Sequence, residues 1–463
     1  MWTRENNKSL KKPAKASVWY LGTSLLCKGI GIIATPFFTR LQSADDYGAF
    51  SLYVTLLGVV SVIVSAFTTG SSVYRGLDLY RAKRESLIKS ILVSSILFSA
   101  LIFIPIFAFY TNFKLDAYLA ILIFLQLICD VIIAVRLSMA RFLYEYKVVT
   151  FVSIFESFFS IAIAVMILRI NGGGYRVRIY SMLFVSLIMA IFALIQILRL
   201  GGKVKKEMIK YSFKSSLPLL PHSISNALSG QADKLIFTAM LGTVALAKYS
   251  VVHSVGIGLS FVVTALGSAL GPWIIRRLNA GDVERIGEIC ELIFGGLAAA
   301  TLFVIALTPE AMKILAPPEY SEAINAVLPI SLSVLPNLII SVTTVILIHG
   351  EHGKYTSYSS LSATLVGIIL DFLLIPRFGY FGAGVALLLS QIVGVFLSLK
   401  FMKKAGTCVL HTRRLIYYFL LTGVLGLVML TLYNYPAIRV LLLSIPAIWG
   451  LNSLFSAEKL VRE

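Results

Sequence analysis

The sequence is poor in charged residues and in cysteine. Asp, Glu, Lys and Arg make up only 14% of the 463 residues, whereas soluble globular chains carry about 25%. Hydrophobic residues make up 58%, more apolar surface than a soluble fold can bury, so lipid is expected to be the solvent. The four cysteines, Cys27, Cys129, Cys290 and Cys408, show no spacing typical of metal ligands or redox motifs. Three of them fall in or near apolar spans, where we expect an inert packing role.

Signatures of several enzyme classes are also missing. The chain has no GxxxxGK[ST] loop that would cradle a nucleotide phosphate, and no HExxH or other metal-ligand cluster. No predicted external loop exceeds roughly a dozen residues by the span lengths of membrane helices. A glycan polymerase or ligase would be expected to carry a larger loop. These absences favour a transporter without a resident cofactor or metal over an enzyme.

Long apolar runs are what the sequence does contain. Continuous runs of this kind predict membrane-spanning helices and not a β-barrel, whose strands would alternate over much shorter segments. The predicted fold is an all-α polytopic membrane protein with about fourteen spans. The spans are 17–39, 48–70, 90–110, 115–137, 148–168, 178–198, 217–241, 246–271, 288–308, 323–348, 357–376, 382–402, 415–433 and 438–455.

The distribution of basic residues orients these spans. With the N-terminus in the cytoplasm, thirty of the 41 lysines and arginines lie on the cytoplasmic side and nine on the other. This bias predicts that both termini are cytoplasmic. The net charge of +19 therefore does not indicate a nucleic-acid partner, because the basic residues lie in short loops between apolar spans.

The chain is predicted to consist of two halves. A basic stretch follows the sixth span and divides two six-helix lobes. Six spans return the chain to the same side, which predicts parallel repeats around a central cavity. A faint internal repeat supports this: Phe38 and Thr39 precede Phe237 and Thr238 by 199 residues, as 46–52 precede 245–251. The predicted domains are 1–200, a linker at 201–216, 217–404, and two additional spans at 405–463.

Lys28 lies in the middle of the first span, about 16 Å from each surface by the helical rise. A lysine side chain cannot reach the surface from that depth. An uncompensated charge there costs at least about 2.5–3.5 kcal/mol. Lys28 is therefore expected to face a cavity that admits an anion, with an internal salt bridge as the alternative.

Acidic residues inside the predicted spans are a second group of candidates. Asp130 in the fourth span and Glu156 in the fifth lie about 10–12 Å from the cytoplasmic surface by the helical rise. Four roles stay open for them: pairing with Lys28, binding a coupling cation, remaining protonated, or joining helices by hydrogen bonds.

The second half carries its own buried polar residues. Asp233 and Lys234 are adjacent in the seventh span and point about 100° apart on a helix, so they cannot neutralise each other side by side. His253 and Asp371 lie at a similar predicted depth in the eighth and eleventh spans. We consider Asp130, Glu156, Asp233, His253 and Asp371 as candidates for coupling to H⁺ or Na⁺, with a packing role as the alternative for the histidine.

A cluster of basic residues, Arg75, Arg81, Arg84 and Lys89, follows the second span on the predicted cytoplasmic side. Anchoring to anionic membrane lipids is the default interpretation of such a cluster. The alternative is a docking site for a phosphorylated head group, since the planar fork of arginine matches phosphate geometry.

Motifs in both halves carry a family resemblance. They are Thr39-Arg40-Leu41 with Asp46-Tyr47-Gly48, Ala232-Asp233-Lys234-Leu235, Ala247-Lys248-Tyr249-Ser250, Pro318-Glu319-Tyr320, and Ile375-Pro376-Arg377-Phe378-Gly379-Tyr380. In their order and with this number of spans, they resemble the Wzx or O-antigen flippase family of the MOP superfamily. The last two spans depart from the usual twelve and are similar to the lipid II flippase branch.

The resemblance implies a transporter of the bacterial inner membrane. Its substrate would be an undecaprenyl-pyrophosphate-linked oligosaccharide, moved outward by alternating access, with other polysaccharide-assembly membrane proteins as further partners. The family's cavity attracts the anionic head group with basic residues, which here would be Lys28, Arg40, Arg75 and Lys234. Lipid II flippases, cation-coupled antiporters of the multidrug type and membrane glycan polymerases are the competing classes.

Overall fold

The computed structural model describes residues 2–68, 71–112, 117–406, 410 and 412–462, and in this part of the chain it is all-helical, without β-strands. Cys408 lies outside the described residues. The α-helices are α1 (Trp2–Leu41), α2 (Ala44–Thr68), α3 (Ser71–Leu79), α4 (Arg84–Asn112), α5 (Ala117–Phe142), α6 (Tyr146–Asn171), α7 (Tyr175–Arg199), α8 (Lys206–Ser216), α9 (Leu220–Gly256), α10 (Ser260–Asn279), α11 (Val283–Leu315), α12 (Val327–Leu332), α13 (Val334–His349), α14 (Gly353–Lys404), α15 (Thr412–Thr431), α16 (Pro436–Leu442) and α17 (Ser444–Arg462).

Twelve continuous stretches of the described helices are long and apolar enough to cross a membrane. Two of them are too long for a single crossing, at 45 and 52 residues. Each is broken by a glycine in the left-handed region, Gly242 with φ +84° in α9 and Gly379 with φ +53° in α14, a conformation that costs glycine little. Dividing both stretches there gives fourteen crossings and confirms the predicted fold class.

The first compact unit comprises Met1–Gln231. Within it α5 packs against α2, α4 and α7, while α6 packs against α1 and α7. Apolar side chains of these helices, among them Leu87, Leu127 and Ile179, are fully buried and form one continuous core. Outward-facing residues such as Ile33 and Ile170 are more than two-thirds exposed, as expected of side chains that face lipid tails.

The basic segment after the sixth span is folded onto the first unit. It contains α8, which packs against α4, α3 and α2. The ring of Phe213 lies 5.1 Å from that of Phe67, and the ring of Tyr211 lies 5.5 Å from that of Tyr80. Lys206, Lys210 and Lys214 remain exposed on its other face. Within this segment α8 is therefore an amphipathic helix, with one face packed on the first unit and the other exposed.

The second compact unit comprises Ala232–Glu463 and includes the two C-terminal crossings. Its central helix is α11, which packs against α15 and α17, while α13 packs against α10 and α14. Small residues bring α11 and α17 close together, since a Cβ on Gly450 would lie 2.7 Å from the side chain of Ala299. Close approach at small residues is a common way for membrane helices to associate. The domain boundaries proposed from the sequence, at 1–200, 201–216, 217–404 and 405–463, stay predictions.

Polar contacts fasten the last helices to α11 along its length. Arg414 of α15 donates to Glu291 of α11 at 2.9 Å, and Arg439 of α16 pairs with Glu310 near the other end of α11. Between these pairs the hydroxyl of Tyr433 donates to the carbonyl of Ile305 at 2.9 Å. The added helices are therefore an integral part of the second unit.

The internal repeat is visible in equivalent contacts within each unit. In the first unit the Arg178 guanidinium of α7 lies 3.8 Å from the ring centre of Phe38 and 3.6 Å from that of Phe50. In the second unit the ring of Phe237 lies 4.8 Å from Tyr249 and 5.5 Å from Tyr380. Phe237 and Tyr249 are the repeat partners of Phe38 and Phe50, so the sequence match reflects shared packing.

The tenth crossing contains Pro329 and Pro336 and is divided into two helices. Helix α12 ends at Leu332 and α13 begins at Val334. Pro336 cannot donate a backbone hydrogen bond, and its ring crowds the carbonyl of Leu332. The amide of Ser333, at the division, donates to the carbonyls of Pro329 and Ile330. The division between α12 and α13 therefore has a local cause, the proline three residues after it.

The pair between Arg439 and Glu310 predicts a measurable effect on stability. The Arg439 side chain is 1% exposed, and that of Glu310 is 43% exposed. Glu310→Ala would leave a buried guanidinium without its carboxylate, which we expect to cost about 3 kcal/mol, the low end for a broken buried pair. Adding Arg439→Met should recover most of this loss, because no charge then remains buried. Thermal unfolding of the purified protein in detergent measures both effects.

The exposed pair between Arg81 and Asp78, at 2.6 Å, serves as the matched control. Arg81→Ala should change the unfolding free energy by less than about 1 kcal/mol, as is usual for surface pairs. If Glu310→Ala unfolds at the same temperature as Arg81→Ala, the proposed anchoring of the last helices by this pair is wrong.

Candidate functional site

The basic candidates of the first unit lie at different depths. Lys28 is exposed in the middle of α1, about 18 Å along the helix from Arg40 by the helical rise. Arg40 is exposed in the last turn of α1, where its guanidinium donates to the carbonyl of Pro36 at 3.1 Å. Arg75 is exposed on α3, at the predicted cytoplasmic end. The three residues therefore do not form one cluster, and their assignment to a substrate cavity stays a prediction.

The basic cluster that follows α2 is divided by the structure. The Lys89 ammonium donates to the carbonyls of Leu198, Leu200 and Gly202 at 2.7–3.3 Å. It thereby caps the C-terminal end of α7, where a cation is favourable. Lys89 has a structural contact that explains its position without a ligand.

Arg84 and Arg81 also have local partners. Arg84 donates to the carbonyl of Leu77 at 2.8 Å and lies 5.0 Å from the ring centre of Phe142. Arg81 pairs with Asp78. Of the four basic residues, Arg75 remains the candidate for contact with a phosphorylated head group, and this stays a prediction.

Two of the acidic candidates come together in the first unit. Asp130 of α5 accepts a hydrogen bond from the Gln126 amide at 2.8 Å, and the same amide donates to the hydroxyl of Ser186 at 2.9 Å. Ser186 of α7 also lies within hydrogen-bonding reach of Glu156 of α6. The two carboxyls are close enough for their charges to interact. We name Asp130, Glu156, Gln126 and Ser186 the first carboxyl cluster.

The other acidic candidates come together in the second unit. The Tyr249 hydroxyl donates to Asp233 at 3.1 Å, and the imidazole of His253 lies 3.9 Å from the same carboxylate. Asp371 of α14 is 4% exposed and close enough to Asp233 for their charges to interact. We name Asp233, Tyr249, His253 and Asp371 the second carboxyl cluster. Lys234 lies beside it, within electrostatic range of His253.

One oxygen in the second carboxyl cluster is left without a hydrogen bond. Asp371 Oδ1 is buried and accepts no hydrogen bond within the described part of the chain. An unsatisfied buried carboxylate oxygen is costly and calls for a proton or a cation. Among the described residues, no group of three or more His, Cys, Asp or Glu is arranged to hold a metal ion.

The structure adds residues to the two carboxyl clusters that the sequence did not identify as candidate site residues. Gln126, Ser186 and Tyr249 connect the carboxyls within the clusters. Gln126 lies one helical turn before Asp130, so its spacing could have signalled the contact. Ser186 and Tyr249 are brought in from other crossings. No local pattern marks Ser186, whereas Tyr249 belongs to the motif Ala247-Lys248-Tyr249-Ser250.

Two family models match the sequence. The model described as polysaccharide biosynthesis protein matches residues 14–277, more than half of the chain. The MatE model matches residues 218–373. A search of the curated proteins found no match.

Solved structures share the fold. The lipid II flippase MurJ in an inward closed conformation is 12% identical, with a TM-score of 0.71 over 96% of this chain and 99% of that one. An inward-facing multidrug resistance MATE transporter of the MOP superfamily is 12% identical, with a TM-score of 0.55 over 83% and 95% of the two chains.

A MOP-superfamily transporter from Pyrococcus furiosus is 13% identical, with a TM-score of 0.55 over 86% of this chain and 96% of that one. At such identities these structures establish a common architecture. The length of the family match establishes more: the chain belongs to the polysaccharide biosynthesis protein family, within the flippases and transporters of the MOP superfamily.

Proposed function

We propose that this protein moves an undecaprenyl-pyrophosphate-linked oligosaccharide from the cytoplasmic to the outer leaflet by alternating access. The observation that carries the proposal is the position of Lys28. It lies in the crossing Trp19–Leu41, about 14 Å and 20 Å from its two ends by the helical rise. A cation at that depth is costly in lipid, which favours a hydrated path that an anionic head group uses.

The physical problem that such a protein solves is the head group. A pyrophosphate with attached sugars cannot cross about 30 Å of hydrocarbon unaided, because its polar groups would lose their hydration without compensation. A wet, positively charged path removes most of that cost, while the lipid tail stays in the bilayer. An inside-negative potential further favours outward movement of each negative charge, by about 2.3 kcal/mol per 100 mV.

The proposed location is the bacterial inner membrane with both termini in the cytoplasm. The uneven distribution of lysine and arginine between alternate loops supports this orientation. The exposed lysines of α8 lie in a segment assigned to the cytoplasm by the same argument. There they would face the anionic head groups of the inner leaflet.

Two related functions compete with this proposal. The likeness to a lipid II flippase supports a peptidoglycan precursor as the substrate. The MatE match in the second half and the carboxyl clusters support a cation-coupled antiporter for small cationic compounds. Lys28 argues against the antiporter, because a deep positive charge repels cationic substrates.

We expect cells without this protein to accumulate the lipid-linked oligosaccharide on the inner leaflet and to lose surface polysaccharide. Lys28→Ala should reproduce this loss at normal protein levels, whereas Lys28→Arg should retain most export because it keeps the charge. Lys28→Met removes the charge and keeps the length of the side chain, so it should resemble Lys28→Ala. Labelling of surface polysaccharide together with extraction of lipid-linked intermediates measures both effects.

Lys206 supplies the control, since it is exposed on α8 and Lys206→Ala should export normally. Normal export by well-expressed Lys28→Ala and Lys28→Met would remove the main support for the proposal. Accumulation of lipid II in depleted cells would instead favour the peptidoglycan precursor. Transport of ethidium that depends on the protein would favour the antiporter.

The proposal extends to energy coupling. Two buried carboxylates that lie close together repel each other when both are ionised. A proton or a sodium ion between Asp233 and Asp371 would therefore stabilise the second carboxyl cluster. The Asp371 oxygen without a hydrogen bond is the observation that supports this assignment. Binding and release of the cation would then bias the conformations of the transporter.

Asp371→Asn tests the coupling, because the amide imitates a neutral carboxyl of the same shape. In this variant, we expect transport of the lipid-linked oligosaccharide into vesicles to lose most of its dependence on a proton or sodium gradient. Asp282→Asn is the matched control, since Asp282 pairs with Arg277 at 2.7 Å outside the cluster. An unchanged gradient dependence in Asp371→Asn would exclude the second carboxyl cluster as the coupling site.

A further inference from the structure

A polar cavity of about 310 Å³ lies within the first unit, among α1, α5 and α6. Its walls carry five hydroxyl groups, one carboxyl, one guanidinium, one thiol and one apolar side chain. The lining residues are Tyr20, Thr23, Ser24, Cys27, Arg141, Val149, Ser153, Glu156 and Ser157. Such a concentration of hydroxyls between membrane helices is unusual, because lipid offers them no hydrogen bonds.

Helical spacing explains how the cavity is lined. On α1, Tyr20 and Ser24 are one turn apart, and Lys28 follows one turn later on the same face. On α6, Ser153, Glu156 and Ser157 share one face in the same way. The polar faces of the two helices therefore meet, and the stripe on α1 leads from the cavity to Lys28.

Direct contacts hold these two helices in place beside the cavity. The hydroxyl of Thr23 lies 2.8 Å from that of Thr150. The rings of Trp19 and Tyr146 stack with their centres 5.5 Å apart. The cavity is therefore a built feature of the unit, since its two principal walls are joined by a hydrogen bond and an aromatic pair.

The chemistry of the walls selects among ligands. A free phosphate would meet Arg141 but would be repelled by Glu156. An apolar cation would leave the hydroxyls unsatisfied, at a cost for each buried group. Sugar hydroxyls suit both kinds of wall group, because they donate to a carboxylate and exchange hydrogen bonds with serine, threonine and tyrosine.

The position of the charged groups suits the junction between phosphate and sugar. Arg141 lies in the last turn of α5, at the predicted cytoplasmic end. Glu156 lies about 15 Å beyond Tyr146, the first residue of α6, by the helical rise. A cavity of this size is at the lower limit of small-molecule sites, about 300–1,000 Å³, so it accommodates a single sugar and not a whole oligosaccharide.

We propose that this cavity binds the sugar next to the pyrophosphate, with Arg141 contacting the phosphate and Glu156, Ser153 and Ser24 hydrogen-bonding the ring hydroxyls. The inference rests on the proposed function and deepens it, since it assigns the first unit a site that selects the substrate. Specificity for the first sugar would then lie in hydrogen bonds that a bare lipid pyrophosphate cannot make.

The test measures binding of two kinds of lipid to the full chain in nanodiscs. The probes are undecaprenyl pyrophosphate alone and undecaprenyl pyrophosphate carrying one hexose or N-acetylhexosamine, supplied as a panel. We expect the wild type to bind at least one glycosylated lipid about tenfold tighter than the bare lipid, the size of one charged hydrogen bond. Glu156→Gln and Ser153→Ala should lose this advantage and bind the bare lipid normally.

Arg141→Ala should weaken binding of both kinds of lipid by a similar factor. Ser160→Ala is the matched control on α6: its hydroxyl donates to the Glu156 carbonyl at 2.6 Å and does not line the cavity. This variant should keep the preference for the glycosylated lipid. Ser153→Ala keeps the test decisive if Glu156→Gln fails to fold.

Each contrary outcome has a distinct meaning. Equal affinity of the wild type for bare and all glycosylated lipids would overturn the sugar site and leave the flippase proposal standing. Binding of none of these lipids would contradict the flippase proposal itself. If Glu156→Gln and Ser153→Ala keep the sugar preference, while Glu156→Gln changes the gradient dependence of transport, the cavity is a proton path and the sugar site is wrong.

Discussion

Every polar group within a crossing that is shielded from water must find its hydrogen bonds inside the protein, because the surrounding lipid offers none. The backbone meets this constraint by remaining helical across the crossings. The buried serines of α4 meet it in the same way: Ser90, Ser94, Ser95 and Ser99 each donate to the carbonyl four residues earlier, at 2.7–2.8 Å. Polar residues can therefore be buried in a crossing without signalling function.

Charged side chains meet the same constraint in three ways. Arg439 pairs with a carboxylate, Lys89 caps a helix end, and Arg178 is enclosed by aromatic rings. Asp371 follows none of these patterns, since its charged neighbour is another carboxylate, Asp233, and its Oδ1 accepts no hydrogen bond within the described residues. A charged side chain whose position is not explained by a structural partner is a candidate for a functional role.

The two units differ in the polar features that they contain, although they share a repeat. The first unit has a hydroxyl-lined cavity among α1, α5 and α6. The second unit instead combines Asp233, Tyr249, His253 and Asp371. Under the proposed function this difference divides the work, with substrate selection in the first unit and cation binding in the second. A duplicated fold permits such a division, because each copy can change independently.

Residues at equivalent positions of the repeat make contacts of different chemistry in the two units. Phe38 and Phe50 enclose a guanidinium in the first unit, whereas in the second unit Phe237, the counterpart of Phe38, packs against both Tyr249 and Tyr380. Tyr249 differs from Phe50 by a hydroxyl, and that hydroxyl is what reaches Asp233. The tyrosine at this position thereby supplies a donor to the second carboxyl cluster.

The sequence by itself determined the number of crossings and the depth of Lys28. Both follow from local properties, the length of apolar runs and the helical rise, and neither depends on which helices are neighbours. The division between α12 and α13, three residues before Pro336, has an equally local cause, since a proline acts on its own helix.

Only the tertiary structure decided which charges are structural and which are candidates for function. Lys89 and Arg75 are alike in sequence context, yet only Lys89 meets the carbonyl groups at the end of α7. Asp233 and Asp371 are separated by more than a hundred residues. The fold places Asp233 of α9 and Asp371 of α14 within electrostatic range of each other. A helix pattern specifies a face but not its neighbour, so these pairings could not be read from the sequence.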